Sequence, residues 1–206
     1  MVRVIGIGGG AGTGKTTVAS FLREQGVKVL ELDELSRELS RKGGPIWKKV
    51  IKTWGRFFVD ARGNIDRKKL GKVVFRSFKV LFILNRIAHP LLLQETRKWL
   101  NRNRKEKLLV IDGAILFEGG FLPLLDRIVF VEIDSDLQQR RLVTRGWKEK
   151  DARSLIEAQK FLRCLRRRAD LVICNRGSRK KLYQDIEKFL ELSFHGREIE
   201  RGRSRF

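Results

Sequence analysis

Five short apolar runs recur along the chain, at residues 2–7, 27–32, 108–111, 127–133 and 169–174. They are too short for helices, and the first is rich in β-branched residues and ends in glycines, as a buried parallel strand does. Between them the apolar spacing changes to the three-to-four period of a helix. Val18, Phe21 and Leu22 set it within residues 14–25. Residues 34–41 continue as a helix that Gly43-Gly44-Pro45 breaks, and 46–54 form another short one. Helices are also predicted over 135–145, 148–168 and 178–192. Residues 64–103 are mostly helical, with Leu70, Val73 and Val74 followed by Val80, Leu81, Leu84, Ile87 and Ala88, and contain no convincing strand. Strands alternating with helices imply a three-layer α/β/α fold around a five-stranded parallel sheet. The helical block interrupts that alternation, as an insertion covering a substrate does.

Composition adds the class of partner. The 206 residues suit one domain, and 42% hydrophobic content suffices for a core without metal or disulfide support. The two cysteines, Cys164 and Cys174, form no metal-binding pair and are expected to be reduced thiols. The N-terminal residues run straight into a glycine-rich turn, unlike a secretory leader, so a cytoplasmic protein is expected. Forty-six Lys and Arg against 24 Asp and Glu give a net charge of +22. That field attracts polyanions: nucleotides, phosphorylated metabolites or nucleic acid. The basic residues are spread over 97–107, 163–168, 176–181 and the tail from Arg197, so charge alone does not choose among them.

The glycines choose. Gly9-Gly10-Ala11-Gly12-Thr13-Gly14-Lys15-Thr16 matches G-x-x-x-x-G-K-[ST] at every fixed position, between a predicted strand and an amphipathic helix. In such a P-loop the glycines let successive backbone N–H groups face phosphate oxygens, and the helix N-terminus adds its partial positive charge. Ala11, Gly12, Thr13, Gly14, Lys15, Thr16 and Thr17 are therefore the expected ATP cradle, with Lys15 on the β/γ-phosphates and the Thr16 hydroxyl on Mg2+. Gly6-Ile7-Gly8-Gly9-Gly10-Ala11 also fits the looser dinucleotide pattern G-x-G-x-x-G/A, with Glu31 or Asp33 as its ribose acid. That hydride-transfer reading leaves Lys15 and Thr16 unexplained.

Two carboxylates and two arginines extend the site. Asp33 follows the second strand, at the sheet edge where open α/β folds bind ligands. It either serves as a proton acceptor or Mg2+ ligand, or caps a helix starting at Glu34. Asp112 ends the third strand beside the P-loop strand, a place for a Mg2+-organising acid. Arg141 and Arg145, four apart on one helical face, either neutralise a moving phosphoryl group from a lid or belong to the ordinary basic surface.

Together these segments resemble the dephospho-CoA kinase family over roughly residues 2–190. The resemblance rests on residues 4–17 and on Glu31-Leu32-Asp33. It continues through Leu84-Asn85-Arg86-Ile87-Ala88-His89-Pro90 and Ile115-Leu116-Phe117-Glu118. It ends with Gln159 and Ala169-Asp170-Leu171-Val172-Ile173-Cys174-Asn175-Arg176-Gly177-Ser178, all in the family's order. It implies transfer of the ATP γ-phosphoryl to the ribose 3′-hydroxyl of dephospho-CoA, with Mg2+ as cofactor. Asp33 becomes the base, and Lys15, Arg141 and Arg145 the charge-stabilising groups. Asn175 lies near adenine, and Asp33, His89, Phe117 and Glu118 line the acceptor site. His89 has a second reading, as a helix-end residue packed before Pro90. The implied organisation is a core of about 1–55 and 106–195, a helical CoA-type insertion of about 56–105, a lid of about 140–152, and a basic tail, 196–206.

The chain departs from the family pattern at Gly8, Glu31, Ala114 and Leu165, where the family favours Thr, Asp, Pro and a basic residue. None of these touches Lys15 or Asp33, so activity is expected. A nucleoside or nucleotide kinase shares the same core and is the nearest rival. A nucleic-acid-binding P-loop protein without kinase activity would require tight, salt-dependent binding, whereas +22 without a recognition motif implies weak nonspecific binding at most.

Overall fold

The computed structural model describes residues 3–74, 76–117, 120–159, 162 and 166–194. Five strands, β1 (Arg3–Gly8), β2 (Lys28–Glu31), β3 (Leu108–Asp112), β4 (Arg127–Glu132) and β5 (Leu171–Cys174), form one parallel sheet in the order β2-β3-β1-β4-β5. β1 is central. Ile7 lies in register with Asp112 on one side and Val129 on the other, and Glu31 lies opposite Asp112. All the strands therefore end along one edge, where the loops with chemistry emerge.

The strands read as continuous apolar runs because both faces are covered. Ile5, Ile7, Val110 and Val131 face a cluster closed by Val18, Phe21 and Leu22 of α1 (Lys15–Glu24) and by Leu182, Ile186 and Phe189 of α8 (Arg179–Phe194). Val4, Leu109 and Ile111 face the opposite way, onto Leu32, Leu92, Leu116 and Phe121. Alternation within β1 and β3 thus divides the core into two halves.

The block before β3 has its own apolar centre. Helices α2 (Leu32–Leu39), α3 (Pro45–Trp54), α4 (Arg67–Val74) and α5 (Phe78–Arg102) follow β2. Ile46, Val50, Phe58, Ile65, Leu70 and Ile87 form a buried cluster among them, joined to the sheet cluster through Leu39 and Ala88. The Ser77 hydroxyl caps α5 by accepting from Val80 N at 3.4 Å. Pro90 lies within this 25-residue helix without ending it. Its exposed side lets water meet the carbonyl that loses its N–H partner, while Ile87 and Leu92 hold the other face to the core. His89 is therefore a mid-helix residue, and the helix-end alternative does not hold.

Two predicted boundaries move. α2 starts at Leu32 instead of Glu34, so Asp33 lies within the first turn while Glu31 takes the N-cap position. The predicted helix over 148–168 is shorter: α7 runs Glu149–Ala158, and Gln159 is its C-cap. Gln159 turns back onto the P-loop and Leu162 is buried, neither of which an unbroken charged helix would provide. α6 (Ser135–Thr144) matches its predicted place closely. Among the described residues no helix is long and apolar enough to cross a membrane.

Candidate active site

The loop between β1 and α1 is closed on one carbonyl. Gly10 O accepts from the Thr13 hydroxyl at 2.9 Å and from Lys15 Nζ at 3.0 Å. Gly14 precedes α1 in the left-handed region, with φ 105. A Cβ there would overlap Asn175 Nδ2, so conformation and space both demand glycine. α1 has no side-chain cap and no acid in its first turn, which leaves its N-terminal positive end uncompensated.

Loop and sheet edge are tied together by side chains. Asn175, buried after β5, donates from Nδ2 to Thr13 O at 2.8 Å, and its own carbonyl accepts from Arg141 Nη2 at 3.2 Å. Arg141 and Arg145 line a recess of about 240 Å3 with Gly14, Thr17, Asn175 and Arg179. The fold therefore brings together Gly14, Thr17, Arg141, Arg145 and Asn175, which the sequence placed on three separate elements. Thr16, in the first turn of α1, is exposed.

Lys15 and Asp112 share a desolvated corner. Burial pushes the Lys15 ammonium below its ordinary value, Asp112 and Asp33 oppose that, and Arg145 adds to it. Burial pushes the Asp112 carboxyl up to about 6, against the attraction of Lys15, and the charges of Glu31 and Asp33 push the same way as burial. Asp112 is 7% exposed, and its Oδ1 is buried without a hydrogen-bond partner. Such an orphaned carboxylate oxygen fits a site completed by a cation or by a ligand donor. Among the described residues no cluster of three or more His, Cys, Asp or Glu could hold a metal alone. The donor set fits a magnesium ion that arrives with phosphates and takes only one or two protein oxygens.

Asp33 is exposed and faces a second cavity of about 310 Å3, walled by α2, α4 and α5. Ser36, Arg67, Asn85, His89 and Ile115 also line it, and Asp33 is the only carboxylate among the lining residues described. The Arg67 guanidinium is held below its ordinary value, first by desolvation and then by Arg37, with Asp33 opposing. The cavity thus carries an electropositive wall beside one carboxylate. Ala114–Phe117 is a 3-10 turn after β3. The Phe117 side chain, Glu118, Cys164, Leu165 and the tail 196–206 lie outside the described residues.

Sequence reasoning missed two side chains. Gln138 and Leu142 are the buried residues of α6, so Gln138 is a polar group on an apolar stripe, and that was its available signal. Arg67 gave none, because most of its neighbours at the cavity come from α2 and α5, distant in the sequence.

A parallel sheet of this order, a P-loop between its central strand and the next helix, an acid at the end of the adjacent strand and arginines returning over the loop define a P-loop kinase. The chain belongs to the dephospho-CoA kinase family, whose model matches residues 3–181. A dephospho-CoA kinase from Aquifex aeolicus is 34% identical over 187 residues, 91% of this chain and 95% of the relative. One from Corynebacterium diphtheriae is 39% identical over 184 residues, 88% and 92% of the two chains. Among solved structures, a Thermus thermophilus protein superposes with a TM-score of 0.81 at 27% identity, covering 95% of this chain and 99% of that one. A shikimate kinase from Acinetobacter baumannii, at TM-score 0.57 and 19% identity over 95% and 97%, shares the fold.

Proposed function

We propose that this chain transfers the γ-phosphoryl group of ATP to the ribose 3′-hydroxyl of dephospho-CoA. The observation that carries the acceptor assignment is the position of Asp33. It is the carboxylate that both acts on Lys15 electrostatically and lines the cavity bounded by α2, α4 and α5. Family membership supports dephospho-CoA as the acceptor. The Arg67 guanidinium on the cavity wall suits the diphosphate that such an acceptor carries.

In this reading residues 12–17 bind the β- and γ-phosphates, while Ala11, whose N–H is given to Gln159, holds the loop in place, and Asn175 and its recess receive the adenine side of ATP. The acceptor enters between the sheet edge and the helices of about 56–105, with His89 on its wall and Phe117 and Glu118 near it. Asp33 accepts the 3′-hydroxyl proton as the oxygen–phosphorus bond forms. The bond from the γ-phosphorus to the β–γ bridging oxygen breaks, and ADP leaves. Lys15, Arg141 and Arg145, with residues 140–152 as the lid, stabilise charge spreading over the transferred group. Thr16 and Asp112 would hold Mg2+, which when bound neutralises phosphate charge and orients the nucleotide. The chain's own contribution is positioning and preorganised charge.

The test is ADP release by the purified protein with dephospho-CoA, adenosine, AMP or CMP as acceptor. Dephospho-CoA is expected to be preferred, and Asp33→Asn to lower kcat at least 1000-fold while leaving ATP affinity within about threefold. Preference for a nucleoside or a nucleoside monophosphate overturns the acceptor assignment. Turnover near wild type in Asp33→Asn removes the proposed base.

A further inference from the structure

Ala11, the middle of the phosphate loop, is held from both ends of its backbone by two glutamines. Its N–H donates to Gln159 Oε1 at 2.7 Å, and its carbonyl accepts from Gln138 Nε2 at 2.6 Å. Backbone chemistry fixes both orientations: an N–H can only meet an amide oxygen, and a carbonyl only an amide NH2. Gln138 is nearly buried in α6, three residues before Arg141, and Gln159 is the C-cap of α7. The neighbouring glycine makes room for both. A Cβ at Gly10 would lie 2.9 Å from Gln138 Nε2 and 3.2 Å from Gln159 Oε1. On the other side, a Cβ at Gly12 would lie 3.2 Å from Leu142 Cγ. Loop and helix are therefore in close contact along residues 10–12.

This arrangement has a consequence for the lid arginines. α6 carries Arg141 and ends at Arg145, so a bond from Gln138 to Ala11 sets the height of both arginines over the cradle. Gln159 fixes the return of α7 on the same residue. We infer that Gln138 and Gln159 are positioning residues: a clamp of opposite polarities on Ala11 that registers the α6–α7 arm, and with it Arg141 and Arg145, against the phosphates. The inference rests on the kinase reading of the site but not on the identity of the acceptor.

Opposite polarities give a test that simple loss of packing cannot imitate. In Gln159→Glu the carboxylate still accepts from Ala11 N–H, so its ionised form keeps the bond. In Gln138→Glu the ionised form faces a carbonyl and repels it, and only the protonated acid can donate. Other charges near both positions are Glu132, Asp134, Arg166 and Arg176, which line the same groove, together with Lys15 on Gly10 and Arg141 on α6. Arg166 pairs with Glu132 at 3.0 Å and Arg176 with Asp134 at 2.6 Å. Both variants meet these same surroundings, so each controls for the other.

ATP affinity by titration calorimetry and kcat by ADP release would be measured from pH 8 to pH 6, each as a ratio to wild type. Gln138→Glu is expected to lose at least 30-fold in kcat at pH 8 and to regain at least tenfold of that by pH 6. Gln159→Glu is expected to stay within fivefold in kcat, with a raised KM for ATP and a flat ratio across the range. Identical pH profiles for the two variants, or Gln138→Glu within threefold of wild type at pH 8, overturn the clamp. If Gln138→Glu does not fold, Gln138→Met decides: a kcat loss of at least tenfold in a folded protein supports the clamp, and an unchanged kcat overturns it. A wild-type protein that binds ATP but leaves dephospho-CoA unmodified would instead sink the acceptor assignment, and ATP affinities of the variants would still report on the clamp.

Discussion

Ionised Asp112 should make the protein less stable above about pH 6. Its carboxyl has a folded-state value raised from 3.8 to about 6, with burial as the main cause. The sign follows from proton linkage. Between those two values the native state binds more protons than the unfolded chain, so stability falls as pH rises through them. A shift of that size corresponds to about 3 kcal/mol. The attraction of Lys15 already reduces it, so neutralising Asp112 recovers the net amount. Asp112→Asn should therefore be more stable than wild type by up to about 3 kcal/mol at pH 8, a rise in Tm of roughly 6–12 °C for a chain of this size. At pH 4 the two proteins should unfold nearly together. Urea unfolding of both proteins from pH 4 to 8, without nucleotide, measures it. The same substitution should lower turnover at least 100-fold, since the carboxylate lost is the one proposed to organise Mg2+, and ATP with Mg2+ should stabilise wild type more than the variant. An Asp112→Asn protein that is less stable at pH 8, or whose difference from wild type is independent of pH, refutes the reasoning.

Two other substitutions test the frame around the site. Gly14→Ala places a side chain at φ 105 against Asn175, and should cost about 1–3 kcal/mol in thermal unfolding and weaken ATP at least 100-fold by calorimetry. Leu92→Ala empties a 1%-exposed position between α5 and the sheet and should cost about 2–5 kcal/mol in chemical denaturation. Because Leu92 also reaches the cavity beside Asp33, its KM for the acceptor should rise while ATP affinity stays near wild type.

Much of this molecule could be read before any coordinates, and the reason is locality. The five strands are apolar runs whose pattern survives in one dimension, and the P-loop is contiguous because one tight turn must present several amides to one phosphate chain. Boundaries failed where a tertiary contact decided them. α7 stops at Ala158 because Gln159 leaves its helix for Ala11, more than a hundred residues earlier in the chain. α5 passes through Pro90 because Ile87 and Leu92 hold its other face. Asp33 could be placed at the sheet edge from its position after β2, but its relation to Lys15 and Arg67 depends on the packing of α2, α4 and the P-loop.

The distribution of partners around the P-loop also explains why one motif can serve a particular chemistry. The cradle's carbonyls at Gly10, Ala11 and Thr13 are taken up by Lys15 and Thr13, by Gln138, and by Asn175. Filling those acceptors, two of them from outside the loop, removes negative partial charge that would otherwise face an incoming phosphate. Each outside donor also carries a second function in its own element. Asn175 closes the recess with Arg141, and Gln138 anchors the helix that bears both lid arginines. The loop is thus the junction at which β5, α6 and α7 are held to a common register. A binding event at its amides reaches all three through single hydrogen bonds. That coupling makes the environment of the loop, more than its own residues, the part of the structure that sets where Arg141 and Arg145 stand when the phosphoryl group moves.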